Sequence, residues 1–280
     1  MRIVVTGSNG MLAKTLIPVL SEGHDVIGLT RESLDITDKG LAERVIKEVS
    51  PNIIINCAAY TKVDKAEEER ERAFLINGKG VQNLALICAD MNIPLCHIST
   101  DYVFDGRKNR PYTPFDNTNP VNTYGESKLS GERYIEWITG KFYVIRTSWL
   151  YGEGGNNFVY TILRLAKEKK ELRVVNDQIG SPTSTLSLSN AIKRLITTGA
   201  YGIYHYTDDS EGGISWFDFA AEILKISSLK VNVSPIRTEE FPLPAKRPSY
   251  SVLDTEMFYL ITGHRPLNWK DTLRNFLARH

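Results

Sequence analysis

A chain of 280 residues with 34 Lys and Arg against 33 Asp and Glu has a formal charge of +1, and 42% of it is hydrophobic. That balance suits one large globular domain or two unequal ones, and it offers no general attraction for nucleic acid or an anionic membrane surface. No apolar run reaches the length of a membrane span, and the first residues lack a basic, apolar leader, so a cytoplasmic protein is expected. The three cysteines, Cys57, Cys88 and Cys96, are an odd number without metal-ligand spacing. They read as buried free thiols in a reducing compartment, with no metal centre.

Arg2 to Thr6 is a β-branched run, followed by Gly7-Ser-Asn-Gly10-Met-Leu-Ala13 and a helical stretch to about Glu22, closed by Gly23. The order is strand, glycine turn, helix. In this spacing Gly7 makes the tight turn, Gly10 lets backbone amides approach a pyrophosphate at the helix N-terminus, and Ala13 allows close packing of helix on strand. The same glycines would serve a purely structural turn, but their place between a first strand and a helix favours dinucleotide binding. Pro18 predicts a kink or irregular turn within the helix.

The second strand, Asp25 to Thr30, ends in Thr30-Arg31. An acidic residue there would bind the adenosine ribose hydroxyls of NAD, whereas a guanidinium suits the 2′-phosphate of NADP. The alternative is a solvent-exposed arginine. Leu41 to Val49 then reads as a helix, Asn52 to Ala58 as a buried strand, and Asp64 to Asn92 as a long helical region that bends near Gly78 and Gly80. Its run Glu67 to Arg72 reads as a solvated face with pairs such as Glu68 with Arg72. Pro94 to Thr100 and Phe142 to Ser148 are further strands. The alternation predicts an α/β fold with a doubly wound parallel (Rossmann) sheet and ligand sites at the carboxyl ends of its strands.

Two stretches at those ends carry candidate chemistry. Tyr124 and Lys128 stand four residues apart on a predicted helix whose start has capping-box spacing, Thr123 to Glu126. A phenol with an ordinary pKa of about 10 is a poor proton donor to a carbonyl, and a neighbouring ammonium would lower it. Just past the apolar run Leu95 to Ile98 lies Ser99-Thr100-Asp101-Tyr102, where a hydroxyl could donate to a substrate carbonyl while Tyr124 supplies the proton. Isolated, either stretch is ordinary turn or helix chemistry; together they favour a reaction at a carbonyl.

Taken together, Thr6-Gly-x-x-Gly10-x-x-Ala13, Asn56-Cys-Ala-Ala59, Thr100 and Tyr124-x-x-x-Lys128 resemble the extended short-chain dehydrogenase/reductase family. Longer segments resemble its dTDP-4-dehydrorhamnose reductase branch. These are Asn56 to Glu67, Ser99-Thr-Asp-Tyr-Val-Phe-Asp-Gly106, Arg146-Thr-Ser-Trp149-Leu-Tyr-Gly152, Asn176-Asp-Gln-x-Gly180-x-Pro182-Thr183 and Arg247-Pro-x-x-Ser251-x-Leu-Asp254. The resemblance implies reduction of the C4 ketone of a dTDP-linked 6-deoxyhexulose by NADPH, with NADH possible, on the way to cell-surface polysaccharide. It implies that Thr100 orients the ketone, Tyr124 protonates it, and Lys128 lowers the tyrosine pKa while holding the nicotinamide ribose. Gly7, Gly10, Met11 and Leu12 would hold the pyrophosphate, Arg31, Asp35 and Ile36 the adenine side, and Ala59, Tyr60 and Thr61 would line the cofactor.

For the substrate the resemblance implies Asp101 and Trp149, the indole either stacking on the pyranose or plugging the core. Arg247 is a candidate for the diphosphate, or else an exposed cation before a proline. It further implies a division into an NAD(P)-binding domain, 1–152, and a smaller C-terminal substrate-binding lobe, 153–280, some of whose segments return to the first domain. Leu186 stands where some relatives place a magnesium-binding glutamate, so a metal-bridged dimer is not expected and a monomer or homodimer stays open. The alternatives are another nucleotide-sugar reductase, an epimerase, or a non-catalytic regulatory subunit.

Overall fold

The structure, a computed structural model, describes residues 1–279. Its centre is a six-stranded parallel sheet. Five strands come from the first half of the chain: β1 (Arg2–Thr6), β2 (Asp25–Leu29), β3 (Ile53–Asn56), β4 (Leu95–Thr100) and β5 (Phe142–Thr147). The sixth, Gly202–His205, comes from the second half and pairs with β5. Across the sheet the order is Gly202–His205, β5, β4, β3, β1, β2. The chain therefore switches direction between β1 and β3, which opens a crevice at their carboxyl ends.

The strands are apolar on both faces because helices cover both. Ile3, Val5, Ile53, Ile55 and Ile145 point into one core, packed with Leu12, Leu16 and Leu20 of α1 (Met11–Ser21) and Leu188, Ile192 and Leu195 of a later helix, Thr185–Leu195. The alternate residues Val4, Ile54 and Val144 face the other core. They pack there with Ala42 and Ile46 of α2 (Lys39–Val49) and with Leu84, Ala85 and Cys88 of a helix ending at Asp90. Pro18 lies inside α1, which is continuous from Met11 to Ser21.

The predicted long helix is divided into α3 (Val63–Glu68), α4 (Arg70–Phe74), a π-helical stretch Leu75–Gly80 and α5 (Val81–Asp90). The bend expected at Gly78 and Gly80 is thus a widened turn. The charged run 67–72 is also more than a solvated face. Glu67 accepts from the backbone and hydroxyl of Thr123 at 2.9 and 2.8 Å, and Arg70 pairs with Glu126 at 2.8 Å.

Those contacts anchor the start of α6 (Thr123–Ile138), the Tyr-Lys helix. Its cap is Asn122, which accepts from Gly125 N at 2.8 Å, rather than the predicted Thr123. Thr123 is already helical, and its hydroxyl is taken by Glu67. Further along, Glu132 is buried and pairs with buried Arg146 of β5 at 2.7 Å. It also accepts a hydrogen bond from Ser99 of β4.

A separate apolar cluster gathers most of the second half of the chain. Leu172 and Val174 come from a strand, Glu171–Val175, that pairs in parallel with Asn232–Ile236. They pack with Val159 and Ile162 of α7 (Phe158–Glu168), Phe219 and Ile223 of the helix Trp216–Ile226, and Trp269 and Leu273 of the helix Trp269–Leu277. Ser215 and Asp218 form a capping box on the second of these helices. Among the described residues no helix is long and apolar enough to cross a membrane. Of the three free thiols Cys88 and Cys96 are buried, and Cys57 is only partly so.

Removing one partner of the Glu132–Arg146 pair leaves a buried charge alone. Glu132→Leu should therefore lower the unfolding free energy by about 3–5 kcal/mol, and the double change Glu132→Leu/Arg146→Leu should recover much of that loss. Urea titrations of the three proteins check this; a double variant no more stable than the single would show that the pair is not desolvated.

Candidate active site

Gly7 and Gly10 shape the turn after β1. Gly7 has φ of +65°, and a Cβ there would lie 2.7 Å from the backbone of Ala58 at the end of β3. Gly10 N–H donates to Gly7 O at 2.9 Å, and a Cβ on Gly10 would come within 3.1 Å of that carbonyl. No side chain caps α1 and its first turn holds no acidic residue. The amides at this end, including those of Met11 and Leu12, thus keep their partial positive charge for an outside anion. Leu12 turns its side chain into the core, while Met11 meets the loop after β5, its sulfur 3.7 Å from Asn157 Nδ2. A dinucleotide's pyrophosphate fits this backbone cradle.

At the end of β2, Arg31 is 65% exposed and its guanidinium donates to Asp35 at 3.1 Å. An exposed pair of this kind is weak, so the cation can still turn to a phosphate. Asp35 also accepts from Thr37 N and Oγ1 at 2.9 and 2.7 Å, and its carboxyl is held below the usual range; burial opposes these bonds. Ile36 is buried, packed where Gly80 leaves room for it. Across the crevice, Ala59, Tyr60 and Thr61 follow β3. Asn77, in the π stretch, clamps them by accepting from Tyr60 N at 2.8 Å and donating to Tyr60 O at 3.0 Å.

Thr100, Asp101 and Tyr124 meet at the end of β4. Thr100 Oγ1 donates to Asp101 at 3.0 Å and accepts from Tyr102 N at 3.2 Å. The Tyr102 and Tyr124 rings lie edge to face at 5.8 Å. Burial pushes the Tyr124 phenol up to about 12, against a hydrogen bond with Thr100 and with the nearby Asp101 charge adding to the rise. Asp101 itself is raised to about 6 by burial.

The phenol is thus not lowered by Lys128, as its spacing suggested. The lysine is only 2% exposed, and its Nζ lies 2.6 Å from Ile98 O and 3.1 Å from His97 Nε2. Burial brings it down to about 8, against the opposing charge of Glu132. Its head is aimed into β4, two and three residues back from Thr100.

Two substrate-side candidates have other partners. Trp149, with φ of +45°, stacks on Trp216 at 3.5 Å and 10° between planes. One face of the indole is therefore covered by protein. Arg247 is neither exposed nor free: its side chain is 14% accessible, and both terminal nitrogens bind Asp64 at 2.7 Å. The fork assigned to a diphosphate holds a carboxylate.

Buried polar residues behind the site went unnoticed in the sequence. Asn77 also donates to Ser127 Oγ at 2.9 Å, joining the cofactor-side loop to α6. Asn56 accepts from Thr6 Oγ1 at 2.6 Å and from Ala58 N at 3.1 Å, and its amide nitrogen lies 2.9 Å from His97 Nδ1. The only signal for His97 was a titratable residue in an apolar strand two positions before Ser99.

The family model described as the RmlD substrate binding domain matches residues 1–280. A dTDP-4-dehydrorhamnose reductase of Aggregatibacter actinomycetemcomitans is 40% identical over 99% of this chain and 98% of that protein. The crystal structure of a dTDP-4-dehydrorhamnose reductase from Clostridium acetobutylicum superposes with a TM-score of 0.97 at 43% identity, over 100% of this chain and 99% of the other. The enzyme of the same name from Bacillus anthracis, solved in complex with NADP, gives 0.96 at 44% identity over 100% and 99%. With a match along its whole length and relatives this similar, the chain belongs to the RmlD substrate-binding domain family, that of the dTDP-4-dehydrorhamnose reductases.

Proposed function

We propose that this chain reduces the C4 ketone of dTDP-4-dehydro-L-rhamnose to dTDP-L-rhamnose, with Tyr124 as proton donor and NADPH preferred over NADH. The observation that carries the reading is the gathering of Thr100, Asp101 and Tyr124 at the end of β4, in a sheet whose first strand ends at an uncapped helix N-terminus. NADPH, when bound, supplies the hydride. The amides of Gly10, Met11 and Leu12 hold its pyrophosphate, Arg31 its 2′-phosphate, and Ala59 to Thr61 the wall beside it.

The residues then divide the remaining work. Thr100 orients the ketone oxygen, and Asp101 turns a buried carboxyl toward a sugar hydroxyl. A phenol raised to about 12 keeps its proton at neutral pH. It still gives that proton to an oxygen becoming an alkoxide, because the alkoxide is the stronger base. Lys128 supplies positive charge behind the nascent anions, and its burial keeps that charge effective. Trp149 covers the sugar with whatever edge or face Trp216 leaves open. Arg247, held by Asp64, acts by fixing the segment before Pro248 and contacts the diphosphate only if that pair opens. A cytoplasmic monomer or homodimer is the setting we infer for this chemistry.

Net loss of NADPH absorbance on adding the dTDP-ketosugar tests the reaction, with one cofactor consumed per sugar; recycling without net loss would indicate an epimerase. Tyr124→Phe should cut kcat at least ~100-fold and leave the KM for NADPH within about twofold. Retention of more than about a tenth of the parent rate, under ~1.4 kcal/mol of barrier, would remove Tyr124 as the acid. Arg31→Ala should raise the KM for NADPH roughly tenfold while leaving that for NADH nearly unchanged, the loss expected for one charged hydrogen-bonding group. Equal effects on both cofactors would mean that Arg31 does not meet the 2′-phosphate.

A further inference from the structure

His97 is fully buried in β4 and has a nitrogen on each side. Its Nδ1 faces Asn56 Nδ2 at 2.9 Å and its Nε2 faces Lys128 Nζ at 3.1 Å. The orientation of Asn56 is settled by its oxygen, which accepts from Ala58 N–H at 3.1 Å and Thr6 Oγ1 at 2.6 Å. Its NH2 group therefore points at the imidazole, and Nδ1 must be the accepting nitrogen. A neutral imidazole has one donor and one acceptor, so its proton sits on Nε2, aimed at the lysine. An ammonium has three donors and no acceptor. The contact at 3.1 Å is a good hydrogen bond only if Lys128 is an amine, taking the Nε2–H with its lone pair while giving one of its own hydrogens to Ile98 O at 2.6 Å.

We propose that His97 is a positioning residue that tunes the charge state of Lys128, its Nε2–H favouring the amine over the ammonium and so easing loss of the lysine proton. Protonating Lys128 then forces the imidazole proton to Nδ1, against the Asn56 amide, or breaks the bonds that Asn56 makes to Thr6 and Ala58. Lysine charge and histidine tautomer are thus coupled through a buried chain running back to β1. The groups that face Lys128 fit this arrangement. Glu132 on its own helix favours the ammonium, but it is already paired with Arg146 of β5. Cys57, after β3, is kept a neutral thiol by burial, and no charge comes from His97, whose own pKa burial drives well below the ordinary value. Asp101 lies on the Tyr124 side of the cluster.

The consequence rests on the reductase reading. The ammonium that supports the nascent phenolate exists only below the titration of Lys128, so kcat should fall above about pH 8. A lysine poised near neutrality can also release and regain a proton within a turnover.

Two variants and one spectrum test the coupling. His97→Gln offers Lys128 a carbonyl acceptor, and His97→Asn keeps an acceptor for Asn56 but removes the donor to Lys128. Both should move the alkaline limb of kcat upward, the first by about one pH unit, which is a roughly tenfold gain relative to the parent at a fixed pH above the limb. Folded variants with an unmoved limb would overturn the proposal, whatever their loss of rate. In the parent protein labelled with 15N, His97 should stay neutral from about pH 6 upward, with its proton on Nε2 above the midpoint of the Lys128 Nζ titration, which the same sample reads, and shifted to Nδ1 below it. A tautomer that does not change across that midpoint, or an imidazolium in this range, would overturn it too. The spectrum needs neither turnover nor a folded variant, so a failure of the coupling is distinguishable from a failure of the reductase reading.

Discussion

The site depends on a helix that buries charge. α6 turns Lys128 and Glu132, one helical turn apart, toward the sheet, and each would be costly to bury alone. The sheet answers with Ile98 O and His97 from β4 for the lysine, and with Ser99 and Arg146 from β4 and β5 for the glutamate. A rotation or slide of α6 by one residue would break all of these together. Tyr124, one turn before Lys128 on the same helix, inherits that precision at the end of β4.

Close approach of backbones does the rest. A Cβ at Gly125 would lie 2.2 Å from Tyr102 O, and one at Gly131 would lie 2.3 Å from Asn77 O. α6 therefore meets the turn after β4 at its start and the π stretch in its middle, with no side chain between. This brings Asn77 near enough to bind both Tyr60 and Ser127, so the wall of the crevice and the Tyr-Lys helix share one buried amide. Packing thus preorganises this side of the crevice.

Much of this is legible in the sequence for a physical reason. Strands buried on both faces read as unbroken apolar runs, and a glycine turn between strand and helix has few uses, so the sheet, its first turn and the residues at the strand ends can be placed by number. Side-chain partners are another matter. Thr123 and Asn122 are both good caps, and Glu67, far away in sequence, decides between them by taking the threonine hydroxyl. The lysine four residues after Tyr124 satisfies the helical spacing, yet spacing cannot say that a strand carbonyl will claim its head. Arg247 fails in the same way, because Asp64 reaches it across 183 positions. Periodicity reports which face is buried; it is silent about who answers a buried charge.

The π stretch at 75–80 carries an implication for how the chain would tolerate a deletion. A widened turn holds more residues than an α-helical path between the same end points. What the widening sets is local, the direction in which Asn77 looks. Taking one residue out of 75–80 would regularise the helix and turn away the amide that now holds both Tyr60 and Ser127.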